Sequence, residues 1–304
     1  MLKDFITVFR PMRWYQNLLI FLGGITAMVL LGIPGHGKWQ AVVLAFIACC
    51  LVASGNYGIN EVFDMEQDTH HPQKKTRALP SGRLKPGHVL FLSGIIYAAG
   101  FGVAVFLKKT PLTILLSLYF VNALLYNIWP LRLKDRPYLD FISEALNNPM
   151  RFLIGWYAVA DVNNIFPASL VFALWFFGIF LMASKRFGEV RLIKDKKELA
   201  NFRKSMIYYT EEKLLFSMIA ALGVSYYMLG AFCMKHSVDL IIALPVLIIW
   251  TVWFFHLAYE ENTIVKDPER IFEKIPFLAF SLISLLFFVY MFMTKNRLME
   301  WMKY

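Results

Sequence analysis

The chain has 304 residues, 58% hydrophobic and 17% charged, with a mean hydropathy of +0.54. A soluble domain is about 45–50% apolar and about 25% charged, so a disordered chain, a disulfide-stapled secreted module and an ordinary cytosolic enzyme are all excluded. The apolar residues suffice for roughly nine membrane spans of ~20 residues, and the net charge of +10 is therefore read first as a topology signal.

Apolar stretches fall at 16–34, 39–60, 88–107, 111–129, 139–160, 164–184, 213–234, 238–258 and 275–294. Lipid offers the backbone no hydrogen-bond partner, so each predicts a transmembrane helix rather than a strand. The expectation is an all-α, multi-pass membrane protein of nine spans, a single domain over 1–304. The first run begins near Leu18 without an A-x-A-like end, so no cleavable signal peptide is expected. Of the 31 Lys and Arg residues, 23 fall in the N-terminus and in 64–87, 130–138, 185–213 and 259–274. That bias puts these segments in the cytoplasm, with 64–87, 130–138 and 185–213 as functional loops, and makes nucleic acid an unexpected partner. Trp14, Tyr15, Trp39, Trp129 and Trp301 stand at predicted span ends, where interfacial aromatics belong. Cys49, Cys50 and Cys233 lie inside apolar runs and read as packing thiols.

After the first span, Gly32-Ile33-Pro34-Gly35-His36-Gly37-Lys38-Trp39 imitates a phosphate-binding loop. It lacks the Ser/Thr that would touch a metal, follows a membrane helix rather than a strand, and falls on the outer side, so it is rejected.

The second span runs into Asn60-Glu61-Val62-Phe63-Asp64-Met65-Glu66-Gln67-Asp68. If the helix continues, Glu61, Asp64 and Asp68 fall within about 60° of one another, with Asn60 flanking them. Three carboxylates at a membrane boundary repel one another unless a cation neutralises them. Oxygen donors without His or Cys suit Mg²⁺; a solvated helix end with scattered acids is the alternative. Just beyond come His70-His71-Pro72-Gln73-Lys74-Lys75-Thr76-Arg77. A metal facing such a basic loop is an ordinary way to hold a diphosphate.

The fifth span contains Asp140, Glu144, Asn147, Asn148 and Arg151. Ionisable residues inside a membrane are a functional hypothesis by default. Glu144, Asn148 and Arg151 share a helical face, as a structural Glu–Arg pair or as an Arg facing a cavity that admits an anionic lipid headgroup. Pro149 is expected to loosen the helix there. The sixth span ends in Lys185-Arg186-Phe187-Gly188-Glu189, with Arg203-Lys204-Ser205 and Tyr209-Thr210 farther on. Lys185 and Arg186 read either as phosphate contacts or as positive-inside charge, with Lys185–Glu189 as an i,i+4 pair.

Along nearly its whole length the chain resembles the UbiA superfamily of intramembrane prenyltransferases. That family's NDxxDxxxD signature corresponds to Asn60, Glu61, Asp64 and Asp68, with Glu61 in place of Asp. Its HPxKxxR corresponds to His71, Pro72, Lys74 and Arg77. The resemblance implies nine transmembrane helices around a central cavity open to the cytoplasm. It also implies a Mg²⁺ site at Asn60, Glu61, Asp64 and Asp68. Aromatic prenyltransferases of the family carry a second Asp-rich motif after the sixth helix. Here Lys185 and Arg186 stand in that place, able to hold phosphate but not a second metal in the same way.

KRxxE, RKS and YT at Lys185/Arg186/Glu189, Arg203/Lys204/Ser205 and Tyr209/Thr210 are similar to the polyprenyl-phosphate (decaprenyl-phosphate) phosphoribosyltransferase branch. So is the opening Arg10-Pro11-Met12-Arg13-Trp14-Tyr15-Gln16-Asn17, which resembles RPxxWxKN with Gln16 in place of Lys. By contrast, Tyr126-Asn127-Ile128-Trp129-Pro130-Leu131-Arg132-Leu133-Lys134 resembles the YxxPPxRxK of lipid and pigment prenyltransferases. The implied enzyme moves phosphoribosyl from phosphoribosyl diphosphate onto a polyprenyl phosphate. Asp64, Asp68, Lys74, Arg77, Lys185 and Arg186 are its expected catalytic residues. Asn17, Asn60, Lys134, Arg151 and Glu189 are the expected substrate contacts. One alternative is prenyl transfer from a prenyl diphosphate to an aromatic or lipid acceptor. Another is a non-enzymatic lipid transporter, which would place its ionisable groups near the bilayer midplane.

Overall fold

The computed structural model describes residues 2–69, 74–193, 199, 203–259 and 274–293, and these residues are helical throughout apart from turns. His70–Gln73, the side chain of Lys74, and Trp301 lie outside the described residues. Eight helical runs among the described residues are long and apolar enough to cross a membrane.

The chain separates into two compact units. The first holds α1 (Leu2–Phe9), α2 (Leu19–Leu31), α3 (Lys38–Thr69), α4 (Pro86–Phe106), α5 (Thr110–Asn127), α6 (Leu139–Ala145) and α7 (Asn147–Val159), together with residues 203–207. Helix α1 is amphipathic. Its Phe5, Val8 and Phe9 pack on Ala78, Leu79, Leu84 and Val89, so it lies over the turn that follows α3. Arg10 adopts the left-handed conformation (φ 47°, ψ 54°), and Pro11 then starts a 3-10 turn, Pro11–Leu18, that leads into α2. Pro11 disfavours the right-handed helical region for the residue before it, so α1 has to stop there.

Helix α3 has 32 residues, about 48 Å at 1.5 Å per residue, against about 30 Å of hydrocarbon. The excess length carries Asn60, Glu61, Asp64 and Asp68 on the same unbroken helix as the span. The fifth predicted span differs from expectation. It forms two helices, α6 and α7, that reset at Leu146. Pro149 has no N–H to offer the carbonyl of Ala145, which is the physical reason.

Glycines let α7 touch α2 backbone to backbone. A Cβ at Gly155 would stand 1.9 Å from the Ile20 carbonyl oxygen, and one at Gly23 would stand 1.9 Å from that of Phe152. No other residue type permits that approach.

The second unit holds α8 (Ala168–Leu192), α9 (Glu211–His236), α10 (Leu244–Tyr259) and α11 (Ile275–Met293). Thr210 caps α9, its hydroxyl accepting from the Lys213 amide at 3.2 Å. The Ser225 hydroxyl donates to the Ala173 carbonyl at 2.9 Å and ties α9 to α8. Rings of Trp250, Phe254 and Phe277 stack between α10 and α11, where Trp250 Nε1 donates to Ser281 Oγ at 2.8 Å. Large apolar side chains fill this unit, and among its described residues the helix-to-helix hydrogen bonds come from Ser, Thr, Tyr and Trp, with one charged pair, Arg191 to Glu211.

Candidate active site

The polar end of α3 is where the first unit gathers its charge. Glu61 is 2% exposed and accepts from Arg10 at 2.9 Å. Arg77 donates to Asp68 at 2.8 Å and lies 3.8 Å from Glu61, so Glu61 and Asp68 share one guanidinium. These two acids stand seven residues apart, almost two full turns, and so lie on one stripe of the helix. Asp64 faces other partners: Arg132 donates to it at 2.9 Å, and Lys134 hydrogen-bonds to the same oxygen. Among the described residues no three His, Cys, Asp or Glu side chains come close enough to hold one ion. The structure thus differs from the shared convergence that the spacing suggests. Repulsion between the acids is relieved by pairing each with a cation from another element.

The loop after α5 is built to present these cations. Arg132 has a left-handed backbone (φ 32°) and spreads its guanidinium over Asp64, Gln67, the Phe63 carbonyl and Asp135, at 2.9–3.2 Å. Lys134 is 4% exposed and also donates to Asn127 Oδ1 at 3.0 Å and Asn60 Oδ1 at 3.4 Å. Burial pushes the Lys134 ammonium down to about 8, opposed by the Asp64 carboxylate beside it. Residues of the RKS stretch clamp this loop: Ser205 Oγ lies 3.2 Å from the Lys134 carbonyl and 3.1 Å from Asp140 Oδ2. Arg203 donates to the Tyr126 hydroxyl at 2.8 Å, and Tyr126 donates to Glu144 at 3.0 Å.

Deeper in the first unit, Arg151 is 7% exposed and donates to Asn17 at 2.7 Å, Tyr119 at 3.1 Å and Asn148 at 3.2 Å. Its partners among the described residues are neutral, and Glu144 is turned to Tyr126. The Glu144–Arg151 pair that their shared face allows is thus not formed. Asn17 is held in turn by Cys50, its Nδ2 donating to the sulfur at 3.1 Å. Gln16 accepts from Tyr57 at 3.1 Å.

In the second unit Arg186 is buried and donates to Glu189 at 2.9 Å, an i,i+3 pair. Arg191 stacks on the Tyr259 ring at 3.5 Å and pairs with Glu211 at 3.2 Å. Lys185 follows Ser184, whose hydroxyl donates back to the Phe180 carbonyl, so the helix runs unbroken through the motif.

Arg10, Arg132, Asn127, Tyr119 and Tyr126 carry no role in the sequence reading although all but Tyr119 sit inside its motifs. Their signal was there: two Arg and one amide in otherwise apolar surroundings, beside stretches already singled out. The donor set suits a hard cation. Asp64, Asn60 and Asn127 oxygens already surround one positive charge, and one carboxylate with neutral oxygens is the set Mg²⁺ accepts. The surrounding Arg and Lys residues are suited to diphosphate oxygens.

Comparison with known proteins follows the same lines. The model of the UbiA prenyltransferase family matches residues 18–281. Decaprenyl-phosphate phosphoribosyltransferase of Mycolicibacterium smegmatis is 30% identical over 246 residues, covering 79% of this chain and 74% of that protein. Protoheme IX farnesyltransferase of Roseiflexus castenholzii is 29% identical over 199 residues, covering 64% of this chain and 35% of that protein. In fold, the chain is similar to a UbiA homolog from Archaeoglobus fulgidus solved bound to GPP and Mg²⁺. The TM-score is 0.73 at 16% identity, over 95% of this chain and 98% of the other.

Proposed function

Because the chain belongs to the UbiA prenyltransferase family, whose members are integral membrane transferases, we propose that it is a Mg²⁺-dependent phosphoribosyltransferase acting on a polyprenyl phosphate. The observation that carries this reading is the charge around the acids. Arg10, Arg77, Arg132 and Lys134 stand on Glu61, Asp64 and Asp68, an excess of cations that suits a donor bearing both a diphosphate and a 5-phosphate. The Lys-Arg pair at 185–186, and the similarity to a decaprenyl-phosphate phosphoribosyltransferase, support the same donor.

In this reading α6 and α7 act as one kinked span, giving nine, and the charged end of α3 faces the cytoplasm on the strength of the Lys/Arg bias. The two compact units work as one functional domain. Asp64 with Asn60 would hold Mg²⁺, and Asp68 and Glu61, which stand on Arg77 and Arg10 in this structure, would join it by leaving those cations. The bound ion supplies charge neutralisation for the departing diphosphate. Arg77, Arg132 and Lys134 take up the diphosphate oxygens, and Lys74, Lys185 and Arg186 are assigned to the remaining phosphates, with Glu189 orienting Arg186. An oxygen of the acceptor phosphate attacks C1 of the ribose as the C1–O bond to diphosphate breaks. The acceptor is already an anion, so no side chain has to remove a proton. Catalysis is then positioning and electrostatic support of the leaving group. Arg151, with Asn17 and Tyr119, offers a buried cation to the anionic head of the lipid.

The test uses purified protein in detergent with Mg²⁺, a polyprenyl phosphate and labelled phosphoribosyl diphosphate. Label should enter the lipid phase, and EDTA should stop it. The second reading, prenyl transfer from a prenyl diphosphate to an aromatic or lipid acceptor, is favoured by the YNIWPLRLK stretch and the likeness to a farnesyltransferase. Consumption of prenyl diphosphate with no movement of ribosyl label would select it. Movement of lipid between leaflets of proteoliposomes without turnover of either donor would overturn both.

A further inference from the structure

Lys134 comes from the loop after α5, yet its ammonium is held by oxygens that the two neighbouring helices supply. Asp64 and Asn60 approach from α3, Asn60 Oδ1 at 3.4 Å, and Asn127 Oδ1 approaches from the end of α5 at 3.0 Å. The Asn127 amide is fixed in this sense, because its Nδ2 donates to the Ala123 carbonyl at 2.9 Å. The atom it turns toward the ammonium is therefore its acceptor oxygen. One carboxylate and two amide oxygens around a buried point charge form the kind of hard-oxygen pocket that divalent ions occupy.

We propose that Lys134 is a tethered counter-cation standing in the divalent-metal position of this site, that Asn127 is the third oxygen of that position, and that the metal enters only as a diphosphate arrives to receive the displaced ammonium. The inference rests on the metal-dependent reading above and adds an order of events to it. Withdrawing Lys134 alone would part its buried ammonium from the Asp64, Asn60 and Asn127 oxygens with nothing to replace them, which is strongly unfavourable. A divalent ion arriving alone would meet both the ammonium and the Arg132 guanidinium, 2.9 Å from Asp64. Diphosphate removes both obstacles, since its oxygens accept from Lys134 and Arg132 while also coordinating the ion. Metal and diphosphate must then strengthen each other's binding by the same factor.

Equilibrium dialysis of Mn²⁺ against the purified protein tests this without turnover, the excess metal on the protein side being the readout. Inorganic diphosphate should raise the affinity of the wild-type protein for Mn²⁺ about tenfold or more. Lys134→Gln should bind Mn²⁺ about tenfold more tightly than wild type when diphosphate is absent, and should lose most of that enhancement. Asn127→Leu keeps the branched side-chain shape and removes the oxygen. It should weaken Mn²⁺ binding about tenfold with diphosphate present, and this variant decides the matter should Lys134→Gln fail to fold. Wild type that retains Mn²⁺ with diphosphate, alongside a Lys134→Gln affinity equal to wild type without it, overturns the tethered cation and leaves the metal reading standing. Unchanged retention in Asn127→Leu removes Asn127 from the site. No retained Mn²⁺ in any variant or condition overturns the metal reading and this inference with it.

Discussion

Asp64 carries two cations at once, Arg132 and Lys134, whereas Glu61 and Asp68 divide Arg10 and Arg77 between them. Replacing Asp64 by Asn keeps the shape and one acceptor oxygen but removes the charge that both a metal and the two basic side chains require. Turnover is expected to fall about a hundredfold or more, with gel filtration and thermal unfolding in detergent unchanged; an unaltered rate would take Asp64 out of the chemistry. Arg151 is the opposite case, a buried cation whose partners are neutral amides and a phenol. Removing a charge held that way relieves a desolvation cost. Arg151→Met should therefore not lower the melting temperature, while the KM for polyprenyl phosphate rises roughly tenfold, the loss of about 1.5 kcal/mol of charged hydrogen bonding. A destabilised protein with an unchanged KM would make Arg151 structural. The acids and bases themselves were readable from sequence, since they stand out sharply against apolar runs. Whom they pair with was not. Arg10 lies 51 residues before Glu61, and Arg132 lies 68 residues after Asp64; spacing along one helix cannot reveal a partner brought in by another.

At the scale of elements, the α2–α7 contact depends on glycine. Ala at 155 would drive a methyl group into the Ile20 carbonyl, 1.9 Å away, and backbone atoms cannot swing aside as a side chain does. Gly155→Ala should cost about 3 kcal/mol, seen as a lowered denaturation midpoint. Gly94→Ala in α4, where an added Cβ meets nothing within 4 Å, should leave that midpoint in place or raise it slightly. The helices were legible because lipid enforces backbone pairing within each apolar run, so the predicted runs and the observed helices largely coincide. The reset at Leu146 was only half legible. Pro149 announces a weakness in the helix, but where the chain resumes depends on neighbours such as Asn122, which donates to the Ser143 carbonyl and to Asn147.

At the scale of the molecule, the proposed sidedness has a direct readout. Cys49, Cys50 and Cys233 are buried, so the native chain should react poorly with a membrane-impermeant thiol reagent. Arg136→Cys, in the loop beside Lys134, should label only after cells are permeabilised. Lys108→Cys, in the turn between α4 and α5, should label in intact cells. Labelling with the two positions exchanged would invert the orientation read from the Lys/Arg bias.

Helix α3 also makes the bilayer itself a variable. Its acids and its membrane-embedded turns belong to one uninterrupted rod of 32 residues, so the depth at which Asp64 and Asp68 sit follows the depth at which the apolar stretch settles. A mismatch between that stretch and the hydrocarbon thickness is met by tilting or by local thinning, at fractions of a kcal/mol per Å. Turnover in vesicles of graded acyl-chain length should pass through a maximum, because a thicker or thinner host draws the carboxylates away from the headgroup plane at which, in the proposed reaction, a water-borne donor meets a lipid-borne acceptor.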